Sequence, residues 1–322
     1  MIRMLMRVFR GLRGVVLAGV VVVVLVGCSS LMVDWRAEVD KLDAEISAMP
    51  GVQRVEVSYA DDFFKGDSLF RLDVHLPEAT ESQIRDVLGR LGERMGRFKG
   101  FREQEIGFVV GDRAKVGTTK KLEVDSFLEA VRNVRRYSVE VPEGSISWDV
   151  RPTPEISVSD TQNGGAASLA AIRAMIGDTS AAEVSISTAG YASWSIDLPL
   201  SAEREAEFRR RLSEIPLAIG SVEIEGGHIV GLSVRNTVVS TFEPDLVYGQ
   251  LADTVRKLGV TTGQPLRLRW SWLFYYTDGK RNEGAVHVGG CDYHSLLTVS
   301  DDTLSVPALE VQRRMREEFD AC

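Results

Sequence analysis

The apolar residues of this chain change their spacing on a regular schedule, and that schedule limits the fold more than any single motif does. From residue 34 onward, stretches with apolar residues at steps of three and four alternate with paired stretches in which apolar and polar residues take turns. The first pattern marks one buried stripe on a helix, the second a half-covered strand. Trp35, Val39, Leu42, Ile46 and Met49 follow the capping residue Asp34. Thr80 and Gln83 form a capping-box pattern ahead of Ile84, Val87, Leu88, Leu91 and Met95. Asp125 opens a stripe of Phe127, Leu128, Val131 and Val134, and Asn163 one of Leu169, Ile172 and Ile176. Ser201 precedes Phe208, Leu212 and Ile215, Pro244 suits the first turn before Leu246, Leu251, Val255 and Leu258, and Ser305 with Pro307 starts a last helix.

Between these helices the period is two. Val55, Val57 and Tyr59 alternate with polar residues, as do Phe70, Leu72 and Val74. Later pairs are Ile146, Trp148 and Val150 with Ile156 and Val158, then Val184 and Ile186 with Trp194, Ile196 and Leu198. Gly226-Gly227 and Asp278-Gly279 supply hairpin turns, because glycine accepts the positive φ that tight turns need. The helix starts recur about every 40 residues, and Leu72 to Pro77 is echoed by Trp194 to Pro199. One helix and one hairpin cannot close a core, whereas two such units can. The expected fold is therefore α+β, with tandem αββ repeats forming small antiparallel sheets and helices packed on one face. Three modules are expected, at 34–134, 135–216 and 217–322.

Ahead of this body, Arg3, Arg7, Arg10 and Arg13 precede an apolar run from Val15 to Val26, the order of a secretory signal. The run ends in Leu25-Val26-Gly27-Cys28, which resembles the lipobox of bacterial lipoproteins. The resemblance implies a signal peptide over 1–27, cleavage between Gly27 and Cys28, acylation of the Cys28 thiol, and a short tether over 28–33. It implies a cell-membrane protein, lipid-anchored on the extracytoplasmic side. Ser29 after the lipid cysteine would favour an outer membrane in an envelope that has one. Gly14 to Val33 also gives 20 residues without a charge, long enough for an uncleaved membrane helix. Both readings place the remainder outside the cytoplasm.

Loss of residues 1–27 leaves 295 residues with 34 basic and 46 acidic side chains, a net charge of −12. That balance argues against nucleic acid as a partner and leaves a basic partner or a small ligand open. Besides Cys28 there are only Cys291 and Cys322, an even pair that an oxidising compartment could bridge, or else a buried and a terminal thiol.

No catalytic pattern stands out. His287, Cys291 and His294, with Asp292 beside them, are good metal donors at a spacing that matches no known site, and an ordinary strand-end turn is the expected role. His75 and His228 read as solvated residues, Asp61-Asp62 and Asp301-Asp302 as turns, and Gly117 to Lys121 lacks the second glycine and the spacing of a phosphate loop. There is no nucleophile elbow of the serine hydrolases. No cofactor is implied. Leu268, Trp270, Trp272, Phe274 and Tyr276 share one strand face; they are expected in the core, or, if no helix covers them, as a ligand surface at Trp270 and Trp272. The function expected is non-catalytic protein binding or scaffolding in the cell envelope through a partner protein there. The alternatives are capture of a small ligand and, after it, a wall-modifying or metal-dependent hydrolase near His287 and His294.

Overall fold

The computed structural model describes residues 35–62, 67–98, 103–119, 123–160, 165–190, 192–236, 242–277, 279–290 and 301–321. Gly27, Cys28, Cys291, His294 and Cys322 lie outside them, and with them the anchor, the bridge and most of the donor cluster. The chain divides into two units, Met1–Met49 and Pro50–Cys322. In the first, α1 spans Trp35–Ser47 and buries Val39, Leu42 and Ile46, as their spacing requires.

In the second unit, helices begin close to the capping residues the sequence offers. Helix α2 (Glu81–Met95) starts at Thr80, whose side chain accepts from Gln83 N while Gln83 Oε1 accepts from Thr80 N at 2.8 Å. That reciprocal pair satisfies two amides that the first turn leaves without partners. Ser201 caps α5 (Ala202–Ser213) and Ser305 caps α7 (Val306–Phe319) by the first half of this arrangement, each side chain accepting from the backbone N–H three residues on. Helix α3 (Val124–Glu140) differs from expectation. Its cap is Glu123, which makes no side-chain cap bond, while Asp125 sits in the first turn and pairs with Arg85 of α2 at 3.0 Å. The remaining helices are α4 (Ala166–Ile176) and α6 (Pro244–Leu258).

Twelve strands alternate with these helices in pairs: β1 (Arg54–Asp62), β2 (Asp67–His75), β3 (Glu103–Gly111), β4 (Ala114–Thr118), β5 (Ser145–Asp149), β6 (Glu155–Asp160), β7 (Ala182–Thr188), β8 (Ser193–Leu198), β9 (Ala218–Glu225), β10 (His228–Asn236), β11 (Leu266–Thr277) and β12 (Lys280–Val288). They form one sheet in the order of the sequence. Each hairpin is antiparallel, and each hairpin joins the next through a parallel pair: β2 with β3, β4 with β5, β6 with β7, β8 with β9, and β10 with β11.

This corrects the expectation of small antiparallel sheets. A helix between hairpins carries the chain back along the sheet, so the following strand runs parallel to the one before it. Hairpins thus fuse into a single mixed sheet, and the pairs β4–β5 and β8–β9 run straight through the expected cuts near 134/135 and 216/217. The Asp61-Asp62 pair, expected in a turn, ends strand β1, and Asp301-Asp302 form part of a 3-10 turn.

The alternation separates two faces. On one, Phe70, Leu72, Val74, Phe108, Val116, Trp148, Ile156, Val184, Ile196, Val222, Leu268 and Val286 are buried together with the apolar stripes of the helices. Several polar groups within this layer are paired. Tyr137 of α3 and Ser168 of α4 share a buried hydrogen bond of 2.8 Å. Glu205 of α5, only 5% exposed, accepts from Arg173 at 2.6 Å and Arg209 at 2.7 Å, and Arg209 stacks on Trp194. Arg135 of α3 donates to the carbonyl oxygens of Leu76, Pro77, Ala79 and Val110, binding the β2–α2 loop; burial pushes its guanidinium below the usual arginine range.

The two edges of the sheet end differently. Beyond β12, Ser305 N donates to Arg281 O, Leu304 bridges to Arg281, and Gln312 Oε1 accepts from Ala285 N at 3.0 Å. Ser305 Oγ also donates to the buried Asn282. Among the described residues, no strand pairs with β1 on the side away from β2.

Candidate functional site: the uncovered face of the sheet

The face opposite the helices is polar, and strand register arranges its side chains in rows across the sheet. Ser147, Ser157, Ser185 and Ser195 are direct neighbours on β5, β6, β7 and β8. A second row holds Ser145, Ser159 and Ser187, continued on β8, β9 and β10 by Ser193, Ser221 and Ser233. Neighbours in a row lie about 5 Å apart and rows on one strand about 7 Å apart, so the hydroxyls form a lattice. Within it, Ser145 Oγ donates to Ser159 Oγ at 3.1 Å. A shallow hollow of about 420 Å³ opens over this lattice, lined by Ser145, Ser147, Ser157, Ser159, Ser187 and Lys115.

Beside the serines runs a row of carboxylates. Asp149, Glu155, Glu183 and Asp197 are paired in sequence, and Glu225 follows on β9. Like charges facing each other across strands oppose pairing. One end is offset by Arg151, which bonds Asp149 at 2.5 Å and reaches Glu155 at 2.7 Å. The Asp149 hydrogen bond raises the Arg151 guanidinium above its usual range. In the middle, Asp197 is raised above the ordinary carboxylate range, first by partial burial and then by Glu225 and Glu183.

Toward both ends of the sheet the face is closed by ion pairs laid over glycine. Asp73 of β2 pairs with Lys115 of β4 at 2.8 Å across Gly107 of β3, where a Cβ would overlap both side chains. Glu223 of β9 pairs with Arg267 of β11 across Gly231 of β10, where a Cβ would overlap the Glu223 carboxylate. A strand glycine here makes room for two neighbours to meet above it.

The residues singled out by sequence fall in different places. Trp270 and Trp272 are each 2% exposed and lie on the covered face, with Phe242 against Trp272 at 5.6 Å. The suggested ligand surface at these two is therefore corrected to core, and the side chains of Phe274 and Tyr276 lie outside the described ones. His75 lies on the polar face with Arg54 at 3.2 Å and Glu56 at 3.6 Å. His228, at a hairpin turn, is 3.4 Å from Gln264. His287 sits in β12 opposite Arg267, while its supposed co-ligands fall outside the described residues. Among the described residues no group of three His, Cys, Asp or Glu side chains converges as a metal site would. The serine rows escaped the sequence reading, although the repeated Ser-x-Ser of β5, β6, β7 and β8 carried their signal.

Comparison with family models, with characterised proteins and with solved structures finds no match to this chain.

Proposed function

We propose that the chain is a membrane-anchored lipoprotein on the extracytoplasmic side, without catalysis of its own, that binds or scaffolds another envelope protein through the uncovered face of its sheet. The anchor rests on the leader sequence ending at Gly27 and Cys28. The single observation that carries the binding reading is the carboxylate row Asp149, Glu155, Glu183, Asp197 and Glu225 lying against two rows of serines. Backbone pairing fixes these groups, so a partner meets them with little loss of freedom on binding. Hydroxyls offer donors and acceptors in either direction, and the carboxylates favour lysine or arginine on the approaching surface.

A triple substitution of the row's centre, Glu183→Gln, Asp197→Asn and Glu225→Gln, removes the charge while keeping size and hydrogen-bonding capacity. The test is capture of crosslinked envelope proteins by the full chain. A reproducible basic partner, weakened at least tenfold by the triple variant and by raised salt, supports the proposal. Capture unaffected by the triple variant would sink the binding surface. For the anchor, the mature wild type should begin at an acylated Cys28 by intact mass, and Cys28→Ala should abolish fatty-acid labelling; an unlabelled wild type that keeps residues 1–27 would point to the uncleaved helix instead.

A further inference from the structure

We infer that two copies of this chain join through β1, antiparallel strand against antiparallel strand, about a two-fold axis at Val57. The first ground is the contrast between the sheet's edges. The outer groups of β12 are taken up by Leu304, Ser305 and Gln312, whereas β1 is a nine-residue strand with no strand beyond it among the described residues. An open strand edge is a template for another strand, and chains that stay monomeric blunt it with cover, proline or charge. The second ground is where apolar surface lies. Tyr59 of β1, paired with the buried Phe70, is 38% exposed, and Leu69 of β2, paired with Ala60 and on the other face of the hairpin, is 39% exposed, so each face shows one large apolar side chain to solvent near the open edge.

The third ground is self-complementarity. With the axis at Val57, Val57 faces its own copy, Val55 faces Tyr59, and Glu56 faces Ser58, so apolar residues meet apolar ones and no like charges are opposed. Such β-branched and aromatic pairs are favourable across antiparallel strands. A shift of the axis to Glu56 opposes two carboxylates, and a shift to Ser58 sets Val55 against Asp61. A second copy satisfies the strand by a closed, isologous contact, which ends at two chains instead of growing into a filament.

The experiment is disulfide trapping in membranes that carry the full chain. Val57→Cys should give a peptide linked 57 to 57, identified by mass spectrometry, in most of the protein; Lys280→Cys on the opposite edge should give none to itself. Differently tagged Glu56→Cys and Ser58→Cys chains should crosslink when mixed and not alone. Light scattering of the detergent-extracted chain should report a dimer at about 10 µM that Val57→Lys converts to monomer while unfolding stays cooperative, at a midpoint lowered by loss of the association. If Val57→Lys fails to fold, Ser58→Lys sets a cation opposite Glu56 of the other copy and should tighten the dimer several-fold. A monomeric wild type at that concentration, a 57–57 peptide that never forms, a position 57 linked to a different protein, or a Ser58→Lys dimer no tighter than wild type would each overturn the inference.

Discussion

The two margins of this sheet carry strands of equal length and opposite treatment. At β12, the chain folds back on itself: the turn at Asp301–Thr303 and α7 place Ser305 and Gln312 where they meet the outer backbone of the strand. Gln312, 4% exposed, also donates to Asp301, so one side chain ties turn, helix and strand together. At β1 the polar contacts of Arg54 are between side chains, with His75 across to β2 and with Glu56 along the strand. The difference teaches that covering an edge needs buried polar groups with assigned partners, while leaving one available needs only side chains that pair with themselves.

Four changes at the edges and one between them test the contrast. The largest effect belongs to Met315→Ala, which empties a fully buried site where α7 lies on β12 and should destabilise the fold by about 2–5 kcal/mol in urea unfolding. Gln312→Leu leaves the Ala285 amide buried without an acceptor and should cost about 1–3 kcal/mol in urea unfolding; an unchanged midpoint would show that this hydrogen bond does not hold the edge. Ser305→Ala removes the cap of α7 and the bond to Asn282, with an expected loss of about 1–2 kcal/mol. On the other margin, Val57→Thr at a half-buried position should move monomer stability by no more than about 0.5 kcal/mol, and a larger loss would mean that β1 is covered after all.

The smallest effect lies between the edges, at Asp197. Its carboxyl is raised in the folded state, so the proton binds the fold more tightly than the unfolded chain. This contribution is fully present below the ordinary carboxylate pKa of about 3.9 and is lost as pH rises through the raised value. Wild type should therefore gain on Asp197→Asn as pH is lowered from neutral, measured by paired melting curves; a constant gap would show that Glu183 and Glu225 do not act on it.

Much of the architecture is written in local spacing. The stripes Ile84, Val87, Leu88 and Leu91, the caps Thr80, Ser201 and Ser305, and the alternation of Phe70, Leu72 and Val74 all appear as their residue types require. How the hairpins combine is not legible in the same way. A half-covered strand shows the same alternation whether its neighbour is parallel or antiparallel, so β4 and β5 carry no mark of their joining. The meeting of Asp73 and Lys115 over Gly107 depends on register across three strands, which single-strand patterns do not contain. Trp270 and Trp272 kept a second reading open beside the expected core because an aromatic run suits a core and a binding surface alike, and only the cover supplied by neighbouring elements decides between them.

Because every strand touches only its predecessor and successor in the chain, no contact in the sheet waits for a distant segment to arrive. Assembly can then proceed as a zipper, each new hairpin laid on the last with little loop closure to overcome. Until α7 is in place, whichever hairpin was added last presents a bare adhesive strand, so a growing chain remains aggregation-prone up to its final turn of helix.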